Sequence, residues 1–275
     1  MNGEEQLIKA LTQRAAWVRR ETLRLHRLAP GTRIASSLSP VEIFTVLYYG
    51  GILRHDGANP QAEGRDRFLV SKAHGSISLF PILADRGFFK PSELDTICSQ
   101  GSLLGSIPDP TVRGYETING SLGHGLGVGA GMAVGLKVKR SERSVFVLTG
   151  DGELHEGSVW EAVMFTAERG LDNLILIIDN NGACMLDYCK NILRLEPLER
   201  KFAEFGWEVE RVDGHDLGAL HASLTRMQER REGRPKAIIA DTVKGRGVPR
   251  LEQDPLCHIK SLSPDEVDRL LEVLP

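Results

Sequence analysis

Residues 145–182 read VFVLTGDGELHEGSVWEAVMFTAERGLDNLILIIDNNG and decide the fold. The wholly apolar runs at 145–148 and 174–178 are typical of strands that are buried on both faces of a sheet. Residues 158–168, between these runs, are predicted to form a helix. A strand, a crossover helix and a second buried strand make a βαβ unit, in which the two strands lie parallel.

The same alternation continues on both sides of this unit. Further strands are predicted at 68–70, 207–212 and 237–243. Further helices are predicted at 4–28 and at about 217–231. Two others are predicted to begin at Pro40 and at Pro264, and one is predicted to end at about Arg86. A last one is predicted over the glycine-rich and buried run that starts at Gly120. The sequence therefore predicts an α/β fold, with one domain over 1–275 built on a doubly wound, mostly parallel sheet with helices on both faces.

Ligands of such sheets bind at the carboxyl ends of the strands. The loops that follow Val70, Leu148, Ile178 and Val243 are therefore expected to converge on one site. We expect the chemistry of the protein to lie in these four loops.

Charge and composition exclude several classes of protein. The 34 Lys and Arg residues against 37 Asp and Glu residues give a net charge of −3, too weak a field to attract nucleic acid or an anionic membrane. The N-terminal 28 residues are charged throughout, which predicts neither a signal peptide nor a membrane helix. The four cysteines, Cys98, Cys184, Cys189 and Cys257, form no CxxC pair and are expected to be ordinary thiols. A soluble protein of the reducing cytoplasm is expected.

Two polar loops follow the central strands. Asp151 lies in the GDG sequence at 150–152, and Asn181 in the DNNG sequence at 179–182. A carboxylate, an amide oxygen and a backbone carbonyl are hard oxygen ligands that suit Mg²⁺ held partly by phosphate oxygens. Gly152 allows the backbone to approach those phosphates, and the helix N-terminus that follows favours their charge. Each loop alone could be a simple tight turn, but their occurrence on consecutive strands favours a site.

These motifs carry a family resemblance. GDG, then 27 residues, then NN at the end of an apolar strand resembles the diphosphate-binding motif of thiamine diphosphate enzymes. The flanking segments LSPVEIFTVLYYGGIL, RDRFLVSKAHGS, GSLGHGLGVGAGMAVGLK and TVKGRGV are similar, in order, to the N-terminal half of transketolase. A dinucleotide-binding loop is disfavoured, because Gly123, Gly125 and Gly127 follow no convincing strand and lack GxGxxG spacing.

The resemblance implies a cofactor site of thiamine diphosphate and Mg²⁺. It assigns Asp151, Asn181 and the carbonyl of Ala183 to the metal, and His74, Gly152 and His258 to the diphosphate. Glu153 is placed with the cofactor-binding residues, Gly120 and Leu122 lie near the aminopyrimidine, and Met185 lies against the cofactor. Met185 could instead be a core residue, and His258 a surface histidine.

His74, His258 and Arg33 are also predicted to be catalytic, and two further positions are implied to serve catalysis. Glu156 matches a buried glutamate at the subunit interface of the family, and that glutamate resembles a residue that passes protons between paired active sites. The competing interpretation is that Glu156 is a solvated carboxylate at a helix N-terminus. His124 stands where the family usually has glutamine.

The resemblance also implies a partner. The glutamate that activates the aminopyrimidine lies in the next domain of transketolase, and this chain stops before that domain. We expect the N-terminal half of a split enzyme, inactive alone, with a C-terminal transketolase-like subunit that supplies the glutamate. Two copies of each chain, an α2β2 complex, are expected.

Two departures from the family pattern concern the donor site. Thr32-Arg33 replaces a GH pair, and Ser106-Ile107-Pro108 replaces GHP, so two histidines are lost. An apolar Ile107 would leave a sugar hydroxyl unpaired, at a cost of about 1–3 kcal/mol. A 2-oxoacid donor such as pyruvate is therefore the hypothesis, in a specialised metabolism. Arg33 either pairs with a donor carboxylate or acceptor phosphate, or points to solvent.

Two other functions stay open. The chain could belong to an ordinary split transketolase that uses ketose phosphates and tolerates these changes. It could also be a non-catalytic scaffold that binds the cofactor, although retention of Asp151, Asn181 and His74 argues against this.

Overall fold

The structure, a computed structural model, describes residues 3–118 and 120–274. Its centre is a five-stranded sheet in which every neighbouring pair is parallel. The strands are β1 (Arg67–Val70), β2 (Val145–Gly150), β3 (Leu174–Asn180), β4 (Glu208–Asp213) and β5 (Lys236–Asp241). The order across the sheet is β1-β2-β3-β5-β4. The predicted parallel sheet is confirmed, and its strands lie within two residues of the predicted bounds.

Helices precede the first strand, lie in the connections between consecutive strands and follow the last one. They are α1 (Gly3–Leu28), α2 (Ile34–Leu38), α3 (Val41–Tyr49), α4 (Leu79–Asp85), α5 (Gly125–Val138), α6 (Gly157–Glu168), α7 (Cys189–Ile192), α8 (Leu198–Glu204), α9 (Leu217–Glu229), α10 (Pro249–Glu252) and α11 (Pro264–Val273). A 3₁₀ turn, Ala73–Ser78, precedes α4. Across the described ranges, no helix combines the length and the apolar character that crossing a bilayer requires.

The strands pack on both faces because side chains alternate along them. Phe146 and Leu148 of β2 lie in a core with α1, α3, α4 and α9. Val145 and Val147 lie in a second core with α5, α6 and α8. The predicted doubly wound α/β fold with helices on both faces is confirmed.

The glycine-rich helix differs from its prediction in two respects. It begins at Gly125 rather than Gly120, and only one face of it is buried. On the buried face, a Cβ on Gly129 would lie 2.5 Å from a methyl carbon of Val147, so this glycine permits the close packing of α5 on the sheet. Gly127 and Gly131 lie on the exposed face. Residues 125–136 are apolar throughout, so composition alone did not reveal the outer face.

Candidate functional site

The loops at the carboxyl ends of four strands line one cavity of about 340 Å³. They contribute Lys72 and His74 after β1, Asp151 after β2, Asn181 after β3 and Lys244 after β5. The remaining lining residues are Ser36, Leu122, Gly150, Gly152, Glu153, His155, Ala183, Cys184, Met185, Leu186, Ile192 and His258. The predicted convergence of the four loops is confirmed.

Asp151 is a buried carboxylate held by neutral donors. Its Oδ1 accepts the N–H of Gly152 at 2.8 Å, and its Oδ2 accepts the N–H of Gly182 at 2.7 Å. The Cys189 thiol donates to the same Oδ2 at 3.4 Å. Burial and the nearby carboxylate of Asp179 raise the pKa of Asp151. A cation beside Asp151 would stabilise its ionised form.

The other two predicted metal ligands lie on the adjacent loop. Asn181 Oδ1 accepts the N–H of Ala183 at 3.2 Å, and its Nδ2 lies 3.4 Å from Ser39 Oγ. The Ala183 carbonyl accepts a hydrogen bond from Lys244 Nζ at 2.7 Å. A carbonyl oxygen has two lone pairs, so this bond leaves one for a metal.

The donor set fits Mg²⁺ only in combination with another ligand. Within residues 3–118 and 120–274, no three or more His, Cys, Asp and Glu side chains are grouped to hold a metal. The amide of Asn181, the carbonyl of Ala183 and oxygens from a bound phosphate would have to complete the sphere of Asp151. This is the pattern that Mg²⁺ favours, with one carboxylate and substrate phosphates.

Gly152 leaves room beside the backbone in the wall of the cavity. A Cβ on Gly152 would lie 3.2 Å from Cys184 Sγ, so a side chain there would crowd the wall of the cavity. The backbone after Asp151 enters a short 3₁₀ turn, Gly152–His155. The residues therefore fit a diphosphate that approaches this backbone.

Two lysines and two histidines lie in the wall of the cavity. Lys244 is buried, and Lys72 is buried in an ion pair with Asp179. The rings of His74 and His258 lie 5.6 Å apart, centroid to centroid, and Ser36 Oγ lies 3.1 Å from His258 Nδ1. The positive charges of the two lysines suit an anionic ligand.

The same environment keeps both histidines neutral. Burial, followed by the charges of Lys244, His74 and Arg33, lowers the pKa of His258 to about 3. Burial and the charges of Arg33, Lys72 and Lys244 lower the pKa of His74. At neutral pH each ring therefore carries one N–H donor for an anionic oxygen.

Glu153 ties three segments of the site together. Its Oε1 accepts hydrogen bonds from Ser71 Oγ and from the N–H of Gly123, the latter at 2.9 Å. Its Oε2 lies 3.4 Å from the amide nitrogen of Gly150. The carboxylate is buried, and burial raises its pKa. These contacts indicate that Glu153 positions the loops.

The apolar wall consists of Leu122, Met185, Leu186 and Ile192. Met185 is 53% exposed. The alternative that Met185 is a core residue is therefore wrong, and a place against a bound ligand stays the prediction. His258 lines the cavity, which disfavours the alternative of a surface histidine.

Five predicted residues lie outside the lining of this cavity: Arg33, Ile107, Gly120, His124 and Glu156. Arg33 is exposed at the start of α2, close enough to lower the pKa of His74 and of His258. A Cβ on Gly120 would lie 3.9 Å from Ile107 Cγ2, so these two positions are neighbours. His124 and Glu156 are exposed at the N-termini of α5 and α6. The exposure of Glu156 in the single chain is compatible with either interpretation of its role.

Lys72 and Lys244 line the cavity but were not predicted from the sequence. Both directly follow predicted strands, in SKAHG and TVKGRG. A search for cations at strand ends would have found them.

Trp160 packs within the chain, with its ring on Phe202 and Phe205 and its Nε1 donating to the Leu154 carbonyl at 2.8 Å.

Comparisons with known proteins identify the family of the chain. A family model described as "Transketolase, thiamine diphosphate binding domain" matches residues 29–274. A relative from Actinobacillus succinogenes, named as one of the subunits of an apulose-4-phosphate transketolase, is 38% identical over 266 residues, which are 96% of this chain and 95% of the relative. A putative transketolase family protein of Sinorhizobium fredii is 37% identical over the same shares.

Longer transketolases match over part of their length. Human transketolase is 32% identical over 98% of this chain and 42% of its own. The crystal structure of transketolase from Campylobacter jejuni superposes with a TM-score of 0.87 at 26% identity, covering 99% of this chain and 43% of that one. The chain thus spans less than half of these longer transketolases.

Proposed function

The chain belongs to the transketolase family of thiamine diphosphate-binding domains, and from that premise we propose that it is the diphosphate-binding subunit of a transferase that moves a two-carbon unit to an acceptor carbonyl. The observation that carries the proposal is the convergence of Asp151, Asn181, Lys244, His74 and His258 on one cavity. The single domain of this chain would provide half of the active site.

Thiamine diphosphate, when bound, supplies a stabilised carbanion for the making and breaking of carbon–carbon bonds. Asp151, Asn181 and the Ala183 carbonyl would hold Mg²⁺ against its diphosphate. His74, His258 and the backbone at Gly152 would bind the diphosphate oxygens. Met185 and Leu122 would form the apolar surface against the rings. These residues bind and orient the cofactor, and Glu153 keeps their loops in place.

A partner chain would complete the site. Two relatives, which this chain matches along 95% and 79% of their own length, are each named as one subunit of an apulose-4-phosphate transketolase. We propose a C-terminal transketolase-like partner that carries the pyrimidine-binding domain and its activating glutamate, in an α2β2 complex. Glu156, exposed on this chain alone, would then be covered at the interface.

The donor would follow from Ile107 and Arg33. Ile107 is 39% exposed beside Gly120, and it offers a methyl surface where the family places a hydrogen-bonding histidine. Arg33 is exposed at the start of α2, within electrostatic reach of both histidines, where it suits a carboxylate or phosphate. These two positions support a pyruvate-like donor, which loses its carboxylate to leave a two-carbon unit.

A second candidate is a ketose phosphate donor. It is favoured by the name of one relative, a subunit of an apulose-4-phosphate transketolase. Another relative, 36% identical, is named as a subunit of a 6-deoxy-6-sulfo-D-fructose transketolase, which favours a ketose but names no phosphate. A scaffold without catalysis is disfavoured, because the buried carboxylate, the amide and the cationic wall needed for the cofactor all line the cavity.

The test is a product assay on the complex with its partner. Pyruvate and xylulose 5-phosphate are each supplied with an aldose phosphate acceptor, and products are identified by mass spectrometry. Faster product formation from pyruvate is expected. An equal or faster reaction with the ketose overturns the pyruvate donor and leaves the transferase standing. Cofactor binding without any product would favour the scaffold.

A further inference from the structure

Cys184 and Cys189 form a close thiol pair in the wall of the cavity. Their Sγ atoms lie 3.0 Å apart, and both cysteines are free and partly buried. A tight hairpin brings them together, since the N–H of Cys184 donates to the Asp187 carbonyl and the N–H of Cys189 to the Gly182 carbonyl, each at 2.9 Å. An antiparallel bridge between Ala183 and Tyr188 closes the same hairpin. The pairing is therefore built into the backbone.

We propose that Cys184 and Cys189 are a reversible oxidation site, which a peroxide converts to an intramolecular disulfide. The sulfurs need to approach by only about 1 Å to reach bonding distance. The hairpin already supplies the orientation, so little chain entropy is lost on closing a ring of so few residues.

The chemistry balances with hydrogen peroxide as the oxidant. One thiol attacks the peroxide, the O–O bond breaks, and water leaves as the sulfur becomes a sulfenic acid. The second thiol attacks that sulfur, the S–S bond forms, the S–O bond breaks, and a second water leaves. The two thiols lose two electrons and two protons in total, and the peroxide is reduced to two waters. A dithiol reductant reverses the modification by exchange.

Oxidation would act on the groups that the proposed function assigns to the cofactor. The Cys189 thiol donates to Asp151 Oδ2 at 3.4 Å, and a disulfide removes that donor. Cys184 Sγ lies 3.2 Å from where a Cβ on Gly152 would be, so its movement changes the contact with this backbone. The Cys184 carbonyl accepts from Lys244 Nζ at 3.1 Å. The thiol pair thus contacts both Asp151, which we assign to the metal, and the backbone at Gly152, which we assign to the diphosphate.

The remaining cysteines serve as internal references. Cys98 is exposed and Cys257 is buried. A peroxide that acts only according to exposure would modify Cys98 first. A pair-specific reaction would instead spare Cys98 at low peroxide and close the hairpin.

Peptide mapping of the full chain tests the site directly. The tryptic peptide 170–190 contains both cysteines. After mild hydrogen peroxide and then alkylation, we expect this peptide to carry no alkyl group and to be two hydrogens lighter than the reduced, unalkylated peptide. Treatment with dithiothreitol before alkylation should restore two alkylated cysteines. Two alkylated cysteines in 170–190 alongside an oxidised Cys98, or irreversible oxygen addition that fragment spectra place on Cys184 or Cys189 rather than on the exposed Met185, would overturn the proposal.

The effect on the site is measured on the complex with its partner. Oxidation is expected to weaken Mg²⁺-dependent binding of thiamine diphosphate by about tenfold, since contacts behind a metal ligand change its affinity by about that much. Cys189→Ser keeps a donor for Asp151 but cannot form the disulfide, so peroxide should not change its affinity for thiamine diphosphate.

A mapped disulfide with unchanged cofactor affinity would overturn the coupling between oxidation and cofactor binding. Absence of cofactor binding even when reduced would overturn the proposed function, while the mapping still decides the oxidation site.

Discussion

Lys244 Nζ lies 2.7 Å from the carbonyl oxygen of Ala183, the backbone group that we assign to the metal. The same ammonium lies 3.1 Å from the Cys184 carbonyl. It therefore joins the loop after β5 to the hairpin after β3. Burial lowers the pKa of Lys244, and the carboxylates of Asp151 and Asp179 partly offset this effect.

Replacing Lys244 is expected to loosen the cofactor site. Lys244→Met removes the ammonium from two carbonyls and from the wall that faces the diphosphate, while the stem still fills its volume. Affinity for thiamine diphosphate with Mg²⁺ should fall at least about tenfold, which corresponds to about 1.4 kcal/mol or more. Lys139→Met is the matched control, because Lys139 pairs with Glu63 on the exposed surface. Equal affinities in the two variants would contradict the assignment.

The ion pair of Lys72 with Asp179 is expected to matter for stability. The Asp179 carboxylate is fully buried and also accepts hydrogen bonds from Ser39 and Thr242. Lys72→Met leaves that buried charge without its cation, which costs about 3–5 kcal/mol. Urea unfolding measures this loss. A loss below about 1 kcal/mol would show that Asp179 does not depend on Lys72.

Two glycines of α5 provide a test of its packing. A Cβ on Gly129 meets Val147 at 2.5 Å, whereas a Cβ on Gly131 meets nothing within 4 Å. Gly129→Ala should lower the free energy of unfolding by about 1–3 kcal/mol through overpacking. Gly131→Ala should raise it by about 0.5–1 kcal/mol, because alanine favours the helix. The same sign for both changes in thermal unfolding of the isolated chain would contradict this packing.

Acid should destabilise the chain through His26. This buried ring accepts the N–H of Leu262 at 3.1 Å, and burial lowers its pKa from 6.5 to about 4. Between these two pH values the unfolded chain binds the proton more readily, so stability falls as the pH falls, by about 3 kcal/mol in total. Above pH 6.5 this group makes no contribution.

Urea unfolding at neutral pH and at a pH between those two values tests this dependence. His26→Gln should lower stability at neutral pH but show a shallower fall toward acid than the wild-type chain. Parallel pH dependence in the two proteins would assign the acid sensitivity to other groups.

The parts of the structure that follow from local pattern were predictable from the sequence. The apolar runs 145–148 and 174–178 indicated β2 and β3, and the rule that parallel strands bind ligands at their carboxyl ends brought Asp151 and Asn181 together. The outer face of α5 was not predictable, because glycines occur on both of its sides and the exposed side also carries valines.

The contacts across the site depend on tertiary structure. Lys244 meets Ala183 over a separation of 61 residues, which no spacing rule anticipates. The Cys184–Cys189 pair depends on a hairpin whose sequence, CMLDYC, carries no strong turn signal. The family resemblance supplied the roles of the residues, and the structure supplied their distances.

The most direct test is calorimetric titration of thiamine diphosphate, with and without Mg²⁺, into the complex of this chain with its partner. We predict binding that needs Mg²⁺ and is abolished by Asp151→Asn. Asp56→Asn is the control, since Asp56 also accepts two backbone N–H groups, from Ala58 and Asn59, but in an exposed turn. Tight, Mg²⁺-dependent binding by a folded Asp151→Asn complex, equal to that of Asp56→Asn, would contradict the assignment of this cavity to the cofactor.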